Sequence, residues 1–137
     1  MCGRYTLAQQ QWVDSLFAGL AQDAPDGLRR PRYNVAPGQL VLAFRRPGES
    51  FQPVEMHWGI AASWPGGPSR MINARDDKLA TSRFWKSLLA EGRCAVAADG
   101  FYEWRKLDGG GKQPYWFGTA DGEPFAFAGL CRADDEH

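Results

Sequence analysis

Apolar positions along the chain fall mostly into short runs broken by Gly and Pro, a pattern of strands, with two stretches at helical spacing. Residues 3–7 open as a strand. Residues 8–21 predict a helix, because Trp12, Leu16, Phe17 and Leu20 recur at three- and four-residue steps. Pro25, Asp26-Gly27 and Pro31 make 22–32 a loop. Val41 to Phe44 is a short apolar strand ended by Pro47-Gly48, and 52–60 alternates as a further strand. Pro65-Gly66-Gly67-Pro68 predicts a loop over 61–70. Residues 77–91 predict a second helix, with Leu79, Phe84, Trp85, Leu88 and Leu89 on its apolar side and Gly92 as its stop. Strands are expected at 93–98, 100–106, 114–119 and 124–130, with turns at Asp108-Gly109-Gly110-Gly111 and Asp121-Gly122. Strands with two inserted helices, without regular alternation, predict an α+β fold.

A length of 137 residues fits one domain, and six Trp with eight Phe supply the area for one core. Lys and Arg together number 16, as do Asp and Glu, so no global basic field exists and nucleic acid would need a local patch. Arg29, Arg30, Arg32, Arg45 and Arg46 form a basic stretch, while Asp134, Asp135 and Glu136 make the end acidic. No segment reaches the roughly 18 apolar residues of a membrane helix, and the start carries no signal-peptide pattern, so a cytoplasmic address is expected. Cysteines at 2, 94 and 131 are odd in number and widely spaced, which argues against a disulfide framework and a zinc site. The glycine run 109–111 is not followed by a helix or a Lys-Ser/Thr pair, so it is a turn and not a phosphate loop. The sequence points to no cofactor and no metal.

Cys2 is the most informative position. Removal of Met1 would expose an amine with a reference pKa near 8 beside a thiol of about 8.5, two partly deprotonated nucleophiles at neutral pH. Such a 1,2-aminothiol condenses with an aldehyde, first as an imine and then as a five-membered thiazolidine. By itself Cys2 is equally a cysteine that happens to follow Met1. Asn73, in Met71-Ile72-Asn73-Ala74-Arg75, offers an amide for holding a polar group, or caps a helix. Glu103 lies among Phe101, Tyr102 and Trp104; burial there would make it a general acid or base, and the alternative is a solvent-facing strand residue. Arg4 and Arg75 suit phosphates but are equally ordinary solvated arginines. Trp64 could stack on a base or anchor a loop to the core. Trp58, Cys94 and Cys131 read as core residues, and His57 as structural.

Five ordered motifs join these positions: Met1-Cys2-Gly3-Arg4-Tyr5, Tyr33-Asn34-Val35-Ala36-Pro37-Gly38-Gln39, Trp58-Gly59-Ile60, Met71-Ile72-Asn73-Ala74-Arg75 and Arg93 to Trp104 with its ending Asp99-Gly100-Phe101-Tyr102-Glu103-Trp104. Lys112-Gln113-Pro114-Tyr115 and Phe127-Ala128-Gly129-Leu130 follow. In order and spacing they resemble the SOS-response-associated peptidase (SRAP) family over nearly the whole chain. The resemblance implies a β-rich fold whose mixed or antiparallel sheets form a barrel-like core with flanking helices, in a single domain over 1–137. It implies binding of single-stranded DNA and a covalent thiazolidine crosslink between Cys2 and the aldehyde of an abasic site, by a monomer without a membrane partner. Cys2 then matches the family nucleophile, Asn73 the residue that positions the amine and the sugar hydroxyl, and Glu103 the proton-moving acid. Arg4 and Arg75 match phosphate contacts. Asn34 and Pro37 fall in a motif lining the same groove, and Trp64 in the loop that carries aromatic wedges.

The family pattern continues past the end of this chain into a His-containing motif, and neither His57 nor His137 stands in such a motif. The expectation is a C-terminally shortened member in which crosslink reversal or ring opening is impaired. Two other functions fit parts of the sequence. A cysteine peptidase acting on proteins would need a base beside Cys2, for which His57 is the realistic candidate. A non-covalent binder of single-stranded or modified DNA would not need Cys2 at all.

Overall fold

A computed structural model of the chain describes residues 2–9, 12, 15, 19, 26–64 and 67–132, with side chains for all of these except 26, 62–64, 67 and 68. Ten strands occur among them: β1 (Arg4–Leu7), β2 (Arg32–Val35), β3 (Leu40–Arg45), β4 (Gln52–His57), β5 (Ile60–Trp64), β6 (Gly67–Met71), β7 (Arg93–Ala98), β8 (Gly100–Lys106), β9 (Lys112–Phe117) and β10 (Phe125–Leu130). Two α-helices, α1 (Asp76–Leu79) and α2 (Arg83–Glu91), lie between β6 and β7, and a 3-10 turn spans Asp26–Leu28. The α+β expectation holds. The described strand pairs are all antiparallel, in sheets of order β2-β1-β8-β9 and β10-β7-β3-β4 and a β5-β6 hairpin; the sheets are not closed.

The core forms between the two four-stranded sheets. Tyr5 and Leu7 from β1, Val35 from β2, Leu42 and Phe44 from β3 and Ala97 and Ala98 from β7 are buried together, with Phe101, Phe125 and Phe127 packed against them. Four consecutive residues of β3, Val41 to Phe44, are buried, because β3 is an inner strand with packing on both faces. Ala43 packs on the far side with Met56 and Cys131.

The chain changes sheets at Asp99, the one residue between β7 and β8. Its backbone N–H donates to the Thr6 carbonyl at 3.0 Å. Its buried carboxylate accepts the Thr6 hydroxyl and the N–H groups of Ala8 at 2.6 Å and Gln9 at 2.8 Å. This corner therefore also fixes where β1 ends. Trp116 closes the outer side: its indole N–H donates to the Thr6 hydroxyl at 3.2 Å, and its ring lies on Gly100, where a Cβ would come within 2.2 Å of it. Only glycine allows that approach.

Several elements differ from the sequence expectation. The loop expected over 61–70 is instead the β5-β6 hairpin, paired from Ile60↔Met71 to Trp64↔Gly67; Pro65-Gly66 lies outside the described residues. The strand expected over 52–60 stops at His57, because Gly59 has φ +108° and breaks the extended run, which resumes at Ile60 in a separate hairpin. The single helix expected over 77–91 is two, separated at Ala80 to Ser82, where Ser82 is extended. Its predicted stop is correct, with the Gly92 N–H returning to the Leu88 carbonyl at 2.7 Å. β9 begins two residues earlier than expected, and Arg32 belongs to β2, not to the preceding loop. Of the helix expected over 8–21, Trp12 and Ser15 are helical and most of the rest lies outside the described residues, as does the acidic end 133–137.

Outside the core, β9 is exposed along its whole length, and Tyr115, Trp116 and Phe117 are each about half exposed. No helix among the described residues is long and apolar enough to cross a membrane.

Candidate active site around Cys2

Gly3 alone separates Cys2 from β1, so the pairing of β1 with β8 decides its surroundings. Arg4 stands opposite Tyr102 and Tyr5 opposite Phe101, which brings Glu103 alongside the N-terminus. The Cys2 side chain is half-buried, packs against the main core and donates its S–H to the Arg4 carbonyl at 2.9 Å. Burial pushes its thiol above the ordinary range, and the charge of Glu103 adds to the rise.

Asn73 reaches the same place from the other side of the sequence. Residues 72–75 form the connection from β6 into α1, and the Trp58 indole N–H ties this connection down at the Ile72 carbonyl, 2.8 Å away. From there the Asn73 amide donates to the backbone carbonyl of Cys2 at 2.8 Å. It is not a helix cap; Arg75 occupies the cap position of α1 without a side-chain cap bond. Asn73 thus holds Cys2 by its own backbone. Glu103 is half-buried on β8.

The remaining candidates are dispersed around this centre. Arg4 is half-buried and donates to the Gly3 carbonyl at 3.0 Å. Arg75 is exposed and grips Asp77 with two parallel hydrogen bonds of 3.0 Å. Asn34 is exposed on β2 and Pro37 half-buried in the turn to β3; neither hydrogen-bonds to Cys2 or Asn73. That turn is bound to the β4–β5 junction, since the Gly38 N–H donates to the Trp58 carbonyl at 2.8 Å and the Trp58 N–H to Gln39 at 2.9 Å. Trp64 ends β5, and its side chain lies outside the described residues. His57 is exposed, with Nδ1 2.9 Å from the Gly38 carbonyl. Trp58 is half-buried against the core, Cys131 is buried and Cys94 half-buried. Among the described residues no three His, Cys, Asp or Glu side chains are grouped to hold a metal.

Two residues near the site were not singled out from sequence. Asp99 was visible only as an acid at the end of the apolar run Ala95 to Ala98, a position where a carboxylate needs buried donors. Tyr5 offered no signal beyond its place in a strand. In the fold both Tyr5 and Cys2 line a cavity of about 310 Å³, together with Asn73 and Trp58.

The family model described as "SOS response associated peptidase (SRAP)" matches residues 1–137. The chain belongs to the SRAP family. Among curated relatives, it is 39% identical over 135 residues to the abasic site processing protein YedK of Escherichia coli, covering 95% of this chain and 59% of that protein. It is 35% identical over 135 residues to the abasic site processing protein YoqW of Bacillus subtilis, again covering 95% and 59%. A phage-related protein of Bordetella bronchiseptica has a similar solved structure, with a TM-score of 0.73 and 30% identity over 94% of this chain and 60% of that one. The chain thus spans about three fifths of the length of these proteins.

Proposed function

We propose that this chain processes abasic sites in single-stranded DNA by forming a covalent crosslink through Cys2. The observation that carries this reading is the hold on Cys2: in an SRAP chain, the Asn73 amide fixes its carbonyl at 2.8 Å while Glu103 stands close enough to act on its thiol. The curated relatives named above are abasic site processing proteins, which supports the substrate class.

Chemistry begins when Met1 is removed and the Cys2 amine is freed. The amine adds to the aldehyde carbon of the ring-opened sugar, and the resulting carbinolamine loses water to give an imine. The thiol then adds to the imine carbon. Its proton ends on the ring nitrogen, and the product is a thiazolidine with one water lost overall. Because burial holds the thiol protonated, this proton has to be moved, and Glu103, whose charge is felt at the thiol, relays it. Asn73 keeps Cys2 from swinging away as the ring closes. Arg4 and Arg75 hold flanking phosphates, and Asn34, Pro37 and Trp64 line the path of the strand. The reaction calls for no cofactor and is carried out by a monomer consisting of one domain.

The test uses the Met1-free chain and an oligonucleotide with one abasic site, read by denaturing gel and intact mass. An adduct of protein plus DNA minus one water is expected, absent for Cys2→Ser and for a chain that retains Met1. Asn73→Ala should slow adduct formation about tenfold, the scale of one lost hydrogen bond. A folded, Met1-free chain that gives no adduct, or an equal adduct from Cys2→Ser, refutes the reading.

A further inference from the structure

The motif Trp58-Gly59-Ile60 supplies none of the groups assigned to the proposed chemistry, yet its tryptophan meets several parts of the site. Trp58 stands between β4 and β5, where its backbone is tied to the turn before β3. Its N–H donates to the Gln39 carbonyl at 2.9 Å, and its carbonyl accepts the Gly38 N–H at 2.8 Å. Gly59 then turns the chain with φ +108°, a conformation open to glycine, and its carbonyl accepts the Arg70 guanidinium at 2.7 Å. The backbone that carries the indole is thus fixed before and after the side chain.

The indole itself has two contacts that bear on Cys2. Its ring packs at 5.5 Å from the ring of Tyr5, on the strand that follows Cys2. Its N–H donates to the Ile72 carbonyl at 2.8 Å, one residue before Asn73. Residues 72–75 lie between the end of β6 and the start of α1, so neither a strand ladder nor a helix places Asn73. Its amide nonetheless meets the Cys2 carbonyl at 2.8 Å, and a shift of about 1 Å would take it out of hydrogen-bond range.

We propose that Trp58 is a positioning residue of this site. One rigid ring, packed on the strand that follows Cys2 and hydrogen-bonded to the connection that carries Asn73, sets the spacing between the two. Trp58 does not act on the reacting atoms, because its single side-chain donor is engaged by Ile72. It acts through Asn73. The inference rests on the proposed crosslink through Cys2 and adds to it the residue that holds the amide in register. Trp suits this role because it combines a large packing surface with an N–H on the ring edge. Phe offers the first and lacks the second, so the two contributions can be separated.

The test follows adduct formation by the Met1-free chain with a saturating oligonucleotide that contains one abasic site. Trp58→Phe should be about tenfold slower, the scale of one lost hydrogen bond. Its affinity for the same oligonucleotide with a tetrahydrofuran site, which has no aldehyde, should equal that of the parent. Trp58→Phe combined with Asn73→Ala should be no slower than Asn73→Ala alone, whereas unconnected effects would multiply to about a hundredfold. Exchange of the Asn73 side-chain NH2 with water, followed by NMR, should quicken in Trp58→Phe as its bond to Cys2 opens more often. Because Phe also leaves space, a second variant replaces Trp58 by 3-benzothienylalanine, which keeps the ring shape without the N–H and should give the same results. Parent-like rates in both variants, or a multiplied loss in the double variant, overturn the inference while the crosslink itself stands. If a folded, Met1-free parent chain gives no adduct, the proposed function falls, and the NMR experiment decides the hold on Asn73 by itself: unchanged NH2 exchange in both variants overturns it.

Discussion

At the scale of single residues, the site is governed by what surrounds one sulfur. Half-burial withdraws water from the Cys2 thiolate, and the neighbouring Glu103 carboxylate repels it, so both effects favour the thiol. The consequence is measurable without DNA. Alkylation of Cys2 by iodoacetamide should rise with pH along a curve whose midpoint lies above that of an unhindered cysteine. Glu103→Gln removes the repulsion but leaves the burial, so the midpoint should move down without reaching the unhindered value. An unchanged midpoint would mean that Glu103 does not act on the sulfur. Cys94 and Cys131, packed near each other by β7 and the end of β10, should react far more slowly, since the hydrogen bond between them, and after it burial, keeps Cys94 protonated as well. The grouping of Cys2, Asn73 and Glu103 was expected from the resemblance of their motifs to the SRAP family, because each residue taken alone also fits a bland role. The unpaired hydroxyl of Tyr5 was not, because lack of a partner is a property of the folded neighbourhood and leaves no trace in residue type.

At the scale of elements, what could be read was the local part. Strands β3, β7, β8 and β10 and the stop of α2 at Gly92 follow from apolar runs and turn residues, which act over a few positions. The β5-β6 hairpin was hidden because Pro65, Gly66, Gly67 and Pro68 carry loop propensity, while pairing of Ile60 with Met71 supplies the competing stabilisation across the turn. The split between α1 and α2 falls at Thr81-Ser82, residue types that compete with the helical backbone for hydrogen bonds. Asp99 shows how far a single corner reaches between elements. It joins β7 to β8, and its carboxylate accepts three donors, Thr6 within β1 and Ala8 and Gln9 just after it. Asp99→Asn replaces three bonds to a carboxylate with neutral ones and reverses the Thr6 bond, since its NH2 must donate to the Thr6 hydroxyl while its oxygen accepts both amides. The expected cost is about 2–3 kcal/mol, read as a lower urea midpoint. Because the same corner anchors β1, crosslinking should also fall at denaturant concentrations where the variant remains folded. A urea midpoint equal to that of the parent chain would show that the corner is not a structural anchor.

At the scale of the whole molecule, the decisive quantity is charge. Sixteen basic and sixteen acidic side chains cancel, so long-range attraction cannot hold a DNA strand on this protein. In the proposed function, reversible binding then depends on few contacts, and the proposed covalent bond is what supplies retention that salt cannot reverse. Arg75 makes this quantitative, because its guanidinium is already engaged in two hydrogen bonds with Asp77. A phosphate must displace that carboxylate or share the arginine with it. With Arg4 and Arg75 both neutralising phosphates, the affinity of Cys2→Ser for a single strand should fall with salt at a log–log slope of about −1.4, taking about −0.7 per phosphate. With Arg75 still committed to Asp77, the slope should be nearer about −0.7. Asp77→Asn in the same background distinguishes the two. The exposed ion pair is worth at most about 1 kcal/mol, so the substitution should raise affinity by no more than about fivefold at low salt. It should also steepen the slope toward the two-phosphate value. If affinity and slope are both unmoved, Arg75 does not contact the strand, and the phosphate contacts lie elsewhere on the face that carries Arg4.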